Sequence, residues 1–116
     1  MDLKELQNAA QQLRITVIDV IHKAGSGHSG GSLSCAEILT VLYEQILRIR
    51  PDEPQWPDRD RFILSKGHAA PALYATLSRK GFFDPSLLDT LRQSGSCLQG
   101  HHACSSFQAS KCLRVH

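Results

Sequence analysis

Apolar side chains recur near the start of the chain at the spacing of one face of an α-helix. The repeating positions, separated by about 3.6 residues or multiples of it, are Leu6, Leu13, Val17, Ile21 and Ala24. Asp2 stands where an N-cap belongs, with Glu5 three residues later, and Gly25 accepts the positive φ that ends many helices. The pattern therefore predicts an amphipathic helix bounded by Asp2 and Gly25.

A glycine-rich stretch, residues 25–32, follows this helix and contains no large apolar side chain. Its composition favours a loop over a buried regular element. Ser34 with Glu37 forms a capping-box pattern, which predicts that a second amphipathic helix begins there. Pro51 is predicted to end that helix because proline cannot continue it.

One strand and two more helices are predicted beyond a proline-rich loop at residues 51–60, in which Trp56 is expected to anchor the loop. The short apolar run at residues 62–64 is typical of a strand buried on both faces. A third helix is predicted at residues 69–80. A fourth is predicted to begin with Asp84 as its N-cap and Pro85 as its first helical residue. The expected class is α/β, with this chain mostly helical and holding about one short strand.

Composition and charge exclude several classes of function. The chain has 116 residues and a formal net charge of +2, which is too small to indicate a nucleic acid or a membrane surface as partner. No apolar run reaches the roughly 18 residues of a membrane span. The first five residues include two acids, unlike a signal peptide. We expect a cytoplasmic protein whose four cysteines are free thiols.

The dipeptide Gly-His occurs three times, at residues 27–28, 67–68 and 100–101, where composition alone predicts about 0.4 occurrences. Each pair lies at a predicted break between elements, where ligand-binding groups concentrate. Glycine permits close approach of the backbone to a ligand, and histidine supplies a donor or acceptor near neutral pH. Converging loops of this kind suit phosphates or sugar hydroxyls; the alternative is that the glycines end helices and the histidines are surface residues.

The last fifteen residues show no helical or strand period, and we expect residues 102–116 to be a divergent, disordered tail. The tail region contains side chains of types that bind zinc, namely Cys97, His101, His102, Cys104 and Cys112. Their spacing matches no familiar zinc finger or ribbon. A metal-binding or partner-binding module without enzymatic activity stays open as an alternative.

Three segments together resemble the N-terminal signatures of the transketolase family, most closely in its bacterial forms. They are AGSGHSGGSLS at residues 24–34, WPDRDRFILSKGHAAPALY at residues 56–74 and LQGH at residues 98–101. The resemblance covers about residues 10–101, so we divide the chain into a partial diphosphate-binding domain at 1–101 and the tail. Ser29 stands where many members have proline.

The resemblance implies the function and the site. Transketolases use thiamine diphosphate with Mg²⁺ or Ca²⁺ to transfer a two-carbon ketol unit from a ketose phosphate to an aldose phosphate. His28 and His101 match family histidines that face the substrate, and we assign them catalytic roles. His68 matches one near the cofactor diphosphate, and we group Lys66 and Gly67 with it as cofactor-binding residues.

The similarity stops after His101, so the metal-binding motif and the pyrimidine-binding module of the family have no counterpart here. We therefore assign no metal ligand and expect an N-terminal part of a transketolase that is inactive alone. The alternative is a subunit of a split transketolase completed by a partner chain. Sugar phosphates, and either a second copy or a complementary C-terminal subunit, are the expected partners, with neither nucleic acid nor membrane among them.

Overall fold

The computed structural model describes residues 2–25, 29–65 and 69–90, and this part of the chain is mostly helical, as the sequence predicts. Within these ranges, four α-helices are accompanied by a turn of π-helix (the π-turn) and a turn of 3-10 helix (the 3-10 turn). In chain order the elements are α1 Leu3–Ala24, α2 Ser29–Ser34, α3 Ala36–Val41, the π-turn Leu42–Ile46, α4 Ala70–Arg79 and the 3-10 turn Pro85–Thr90.

Both predicted ends of α1 are confirmed. The Asp2 carboxylate accepts a hydrogen bond from the Glu5 backbone N–H at 2.8 Å, which satisfies a donor that the first helical turn leaves open. Gly25 takes φ 75°, and its N–H donates to the carbonyls of Ile21 and His22. A side chain at Gly25 would oppose this left-handed conformation, so the helix ends where the glycine occurs.

The predicted loop at residues 25–32 is wrong in its second half, because α2 begins at Ser29. The predicted Ser34 cap is also wrong. Ser34 lies inside α2, where its hydroxyl donates to the Gly31 carbonyl at 3.0 Å, and α3 begins after Cys35 without a side-chain cap. Glu37 forms an ion pair with Arg14 of α1 instead. Packing against α1 and α4 explains why so glycine-rich a segment is helical, since tertiary contacts override weak propensity.

The second predicted helix ends before Pro51. After the π-turn, Leu47 is already extended, with ψ 134°. Asp60 fixes the position of Arg48, directly after Leu47. The Asp60 carboxylate accepts hydrogen bonds from the Arg48 backbone N–H at 2.7 Å and from the Arg48 guanidinium at 3.0 Å. The hydrogen bonds from Arg48 lower the pKa of Asp60. The Arg50 guanidinium lies 4.1 Å from the centroid of the Trp56 ring, a cation–π contact. This contact lies within the loop region, so anchoring of the loop to the core by Trp56 stays a prediction.

No strand is present within residues 2–25, 29–65 and 69–90. Residues 61–65 nevertheless alternate in burial as a strand does, with Phe62 and Leu64 partly buried and Ile63 exposed. A strand is defined by hydrogen bonds to a neighbouring strand, and no neighbouring strand lies within these ranges. The strand at residues 62–64 is therefore not confirmed, and the α/β class stays a prediction.

Helix α4 is the centre of the core. Every residue from Ala70 to Ser78 is buried, including the polar Thr76 and Ser78, as expected of a helix that is covered on all sides. It packs against α1, α2, α3 and the 3-10 turn. At its C-terminal end, Arg79 and Lys80 approach the Glu44 carboxylate at 3.5 Å and 3.3 Å, which joins α4 to the π-turn. None of the described helices has the length and apolarity needed to cross a bilayer.

Tyr43 in the π-turn makes the fold sensitive to alkaline pH. Burial raises the pKa of Tyr43 to about 12, whereas an unfolded tyrosine titrates near about 10. Between these values the unfolded chain loses the phenol proton and the folded chain keeps it, so stability falls as pH rises. We expect the wild-type chain to lose roughly 2 kcal/mol of unfolding free energy relative to Tyr43→Phe between pH 10 and 12.

Urea unfolding of both proteins at pH 9, 10.5 and 12 measures this difference, since titration of the other side chains is common to both. An equal decline in the two proteins would show that Tyr43 does not carry the alkaline sensitivity.

Candidate functional site

All five residues assigned to the site from the sequence, His28, Lys66, Gly67, His68 and His101, lie outside the residues that the structure describes. Their roles therefore stay predictions. The segments that flank two of the three Gly-His pairs are described. They show which elements carry these pairs and what surrounds them.

The first Gly-His pair lies between α1 and α2, and the second lies directly before α4. Helix α2 packs against both α1 and α4. The helices that begin after the two pairs, at Ser29 and Ala70, are therefore in contact with each other. That separate Gly-His segments serve one site stays a prediction.

The start of α4 has the chemistry of an anion site. No side chain caps this ten-residue helix, whose N-cap residue is Ala69. Backbone N–H groups at a helix start, together with the helix dipole, favour negatively charged groups. Pro71 removes one donor. In the sequence this helix start directly follows Lys66–His68, the residues assigned to the cofactor diphosphate from the resemblance.

Small side chains allow α2, α3 and α4 to approach closely. Ser32, Ala36, Ala69, Ala70 and Ala72 are all fully buried. Close packing of this kind leaves little room for movement, because neighbouring groups are already in van der Waals contact. Close packing therefore involves Ser32 and the first residues of α4, whereas Gly25 and Gly30, which flank the first Gly-His pair, are exposed.

Ser32 is a buried residue that the sequence did not single out. Its side chain is 0% exposed, and its hydroxyl has no hydrogen-bond partner among the described residues. Three other helical hydroxyls, those of Thr16, Ser34 and Thr76, donate to a carbonyl one turn earlier at 2.8–3.0 Å. The only signal in the sequence was its place in the glycine-rich stretch, which favoured an exposed loop.

We expect Ser32→Ala to stabilise the isolated chain by about 1 kcal/mol, because a buried hydroxyl without a partner loses its hydration and gains nothing in return. Thermal unfolding of the two proteins measures the effect. Ser34→Ala is the matched control, since it removes a hydroxyl from the same helix that does form a hydrogen bond. A marked destabilisation by Ser32→Ala would show that the hydroxyl is satisfied in solution.

A shallow groove of about 450 Å³ separates α1 from the 3-10 turn, with Ile15, Val20 and Leu88 among its lining residues. Lys23 crosses the groove and lies 3.3 Å from Asp19 and 3.4 Å from Asp89. These two carboxylates raise the pKa of Lys23, Asp19 contributing most. The charges in the groove are thus largely paired with one another, and none of the groove's residues was assigned to the predicted site.

Within the described ranges, no group of three or more His, Cys, Asp or Glu side chains is placed to share a metal ion. The Cys/His-rich candidates, from Cys97 onward, lie outside these ranges. The Cys35 thiol donates to the Ser32 carbonyl, with a sulfur–oxygen distance of 3.5 Å.

The comparison with known proteins decides the family. Residues 5–111 match the family model described as the thiamine diphosphate-binding domain of transketolase. The chain belongs to the transketolase family. This confirms the resemblance seen in the three sequence segments, and it makes the start of α4 part of a thiamine diphosphate-binding domain.

Similarity to two proteins named as transketolase subunits and to a transketolase crystal structure agrees with this family assignment. The chain is 50% identical over 97 residues to the 6-deoxy-6-sulfo-D-fructose transketolase subunit of Clostridium sp.. It is 45% identical over 101 residues to one subunit of the apulose-4-phosphate transketolase of Phocaeicola vulgatus. The crystal structure of transketolase from Campylobacter jejuni superposes with a TM-score of 0.79 at 42% identity.

The chain spans only part of these transketolases. The matched regions comprise 84% and 87% of this chain but 35% and 36% of the Clostridium and Phocaeicola subunits. In the Campylobacter comparison the match covers 87% of this chain and 16% of that transketolase. The chain thus spans about a third of the two subunits and about a sixth of the longer enzyme.

Proposed function

We propose that this chain supplies the opening section of the diphosphate-binding half of a transketolase. The complete enzyme would transfer a two-carbon ketol unit from a ketose phosphate to an aldose phosphate. The observation that carries the proposal is the family match over residues 5–111, supported by the uncapped start of α4. Because the chain spans about a third of the related subunits, we expect no activity until the rest of the domain is supplied.

The residues of the Gly-His segments would have two different roles in this site, cofactor binding and catalysis. His68, with Lys66 and Gly67, would hold the cofactor diphosphate beside the backbone donors at the start of α4. His28 and His101 would orient substrate hydroxyls and move protons during the transfer. Thiamine diphosphate, when bound, stabilises the carbanion that the transfer requires. Mg²⁺ or Ca²⁺ would accompany the diphosphate, with ligands from the section that completes the domain.

A split enzyme is the second candidate. Two relatives with 50% and 45% identity are named as transketolase subunits, which favours assembly from separate chains. The proposed partners are then a complementary subunit or a second copy of the complete unit, together with sugar phosphates. We propose a cytoplasmic location for this assembly.

A ketol-transfer assay tests the proposal directly. The chain would be assayed alone, and after co-expression with the part of the Campylobacter jejuni transketolase that follows the matched region, with thiamine diphosphate, Mg²⁺ and a ketose phosphate–aldose phosphate pair. We expect no product from the chain alone and product from the co-expressed pair. Turnover by the chain alone would contradict the need for completion, and an inactive pair that binds thiamine diphosphate would contradict the assigned reaction.

A further inference from the structure

The groove between α1 and the 3-10 turn combines apolar and acidic side chains. Ile15 of α1 is 51% exposed and, with Val20 and Leu88, forms the apolar part of the lining. Asp19 and Asp89 contribute carboxylates, and their side chains are 58% and 63% exposed. A surface of this composition suits an occupant that carries both apolar and positively charged side chains.

The lining of the groove holds more carboxylates than ammonium groups. Among the described residues that line it, Lys23 is the one basic side chain, and it lies 3.3 Å from Asp19 and 3.4 Å from Asp89. These three charges sum to −1, whereas the whole chain has a formal net charge of +2. All three side chains are more than half exposed, so a second cation can approach the two carboxylates from the solvent side.

The last residues of the sequence have the complementary composition. All eleven acidic residues precede residue 90, and the residues beyond it include Lys111 and Arg114. Residues 111–115, with the sequence KCLRV, mix basic and apolar side chains. An extended backbone would place Lys111, Leu113 and Val115 on one face, which matches two carboxylates beside an exposed isoleucine. Residues 91–116 lie outside the residues that the structure describes.

We propose that residues 111–115 of this chain dock into the groove between α1 and the 3-10 turn, with Lys111 beside Asp19 and Asp89 and Leu113 against Ile15. The connection favours this occupant, because Asp89 lines the groove and residues 91–110 lead from there to Lys111. A flexible tether of about twenty residues spans roughly 25 Å and gives an effective concentration on the order of millimolar. Exposed ion pairs are weak between separate molecules, but within one chain such contacts suffice. The docking is independent of the proposed function.

Carbodiimide cross-linking tests the docking, because this reagent joins an ammonium group directly to a carboxylate without a spacer. An equal mixture of unlabelled and isotopically labelled chain would be treated at low concentration, digested and analysed by mass spectrometry. We expect Lys111 linked to Asp19 or Asp89, in peptide pairs that carry a single isotope. The internal reference is the link between Lys23 and Asp89, whose charged atoms are 3.4 Å apart.

Ile15→Gln tests the apolar part of the contact. We expect this variant to lower the yield of the Lys111 link about threefold relative to the internal reference, because the apolar surface that Leu113 covers is lost. Ile18→Gln is the matched control, since Ile18 is 52% exposed on the same helix and is not among the residues that line the groove. Equal yields from the two variants would contradict the contact between Leu113 and Ile15.

Three other results would overturn the docking. The reference link without any Lys111 link would show that this segment does not occupy the groove. Links from Lys111 to Asp52 and Asp58, exposed carboxylates of the proline-rich loop, at the same yield as to Asp19 and Asp89 would show random contact with the surface. Peptide pairs of mixed isotopes would assign the groove to the same segment of a second copy.

Discussion

Replacing Leu73 with alanine is expected to lower the unfolding free energy of the chain by about 3 kcal/mol, the middle of the range for buried leucines. Leu73 is 1% exposed and lies in α4, which is buried on all sides. The substitution removes apolar contacts and leaves a cavity, because helices packed around α4 can relax only partly. For a chain of this size the loss corresponds to a fall in melting temperature of roughly 10 °C or more.

The matched control is Ile38→Ala on α3, where the side chain is 60% exposed. We expect this variant to change stability by no more than about 0.5 kcal/mol, as is usual for surface positions. Thermal and urea unfolding of both variants would provide the comparison. Equal destabilisation by the two substitutions would contradict the placement of α4 at the centre of the core.

Substitution of His28 is expected to have the largest effect on catalysis. In the co-expressed, active assembly, His28→Ala should lower kcat/KM about 100-fold or more, the range for loss of a side chain that transfers protons or orients hydroxyls. The basis is its match to a substrate-facing family histidine, in the segment directly before α2, which packs against α4. Steady-state kinetics with the ketose phosphate varied would measure the effect.

The control is His22→Ala, which removes an exposed histidine from the last turn of α1, six residues earlier. We expect its kcat/KM to remain close to that of the wild type. His28→Ala with undiminished turnover would remove His28 from the catalytic residues, whereas equal losses in both variants would indicate damage to α1 instead of the site.

Local chemistry made much of the helical structure predictable. Asp2 and Gly25 bound α1 because a side-chain acceptor and a left-handed glycine act within a few residues. The third predicted helix, residues 69–80, is confirmed as Ala70–Arg79. The family could also be recognised from the sequence, since long matching segments carry more information than the Gly-His pattern alone.

The predictions that proved wrong depended on neighbours distant in the chain. Ser34 and Glu37 resemble a capping box, yet Glu37 pairs with Arg14, twenty-three residues earlier. The second helix ends in a π-turn, whose Glu44 is held by Arg79 and Lys80. Local pattern alone does not contain these ion pairs, so it could not predict the boundaries that accompany them.

The sequence by itself determined α1 with both its ends, the third predicted helix and the family, because periodicity, local capping and matching segments are properties of adjacent residues. Only the tertiary structure decided that the glycine-rich residues after position 28 form α2. It also decided that the Ser32 hydroxyl is buried, with no hydrogen-bond partner among the described residues. The same holds for residues 61–65, of which one face is covered while Ile63 is exposed. Each of these depends on which distant surface packs against a segment. That choice is made by burial of apolar area over the whole fold.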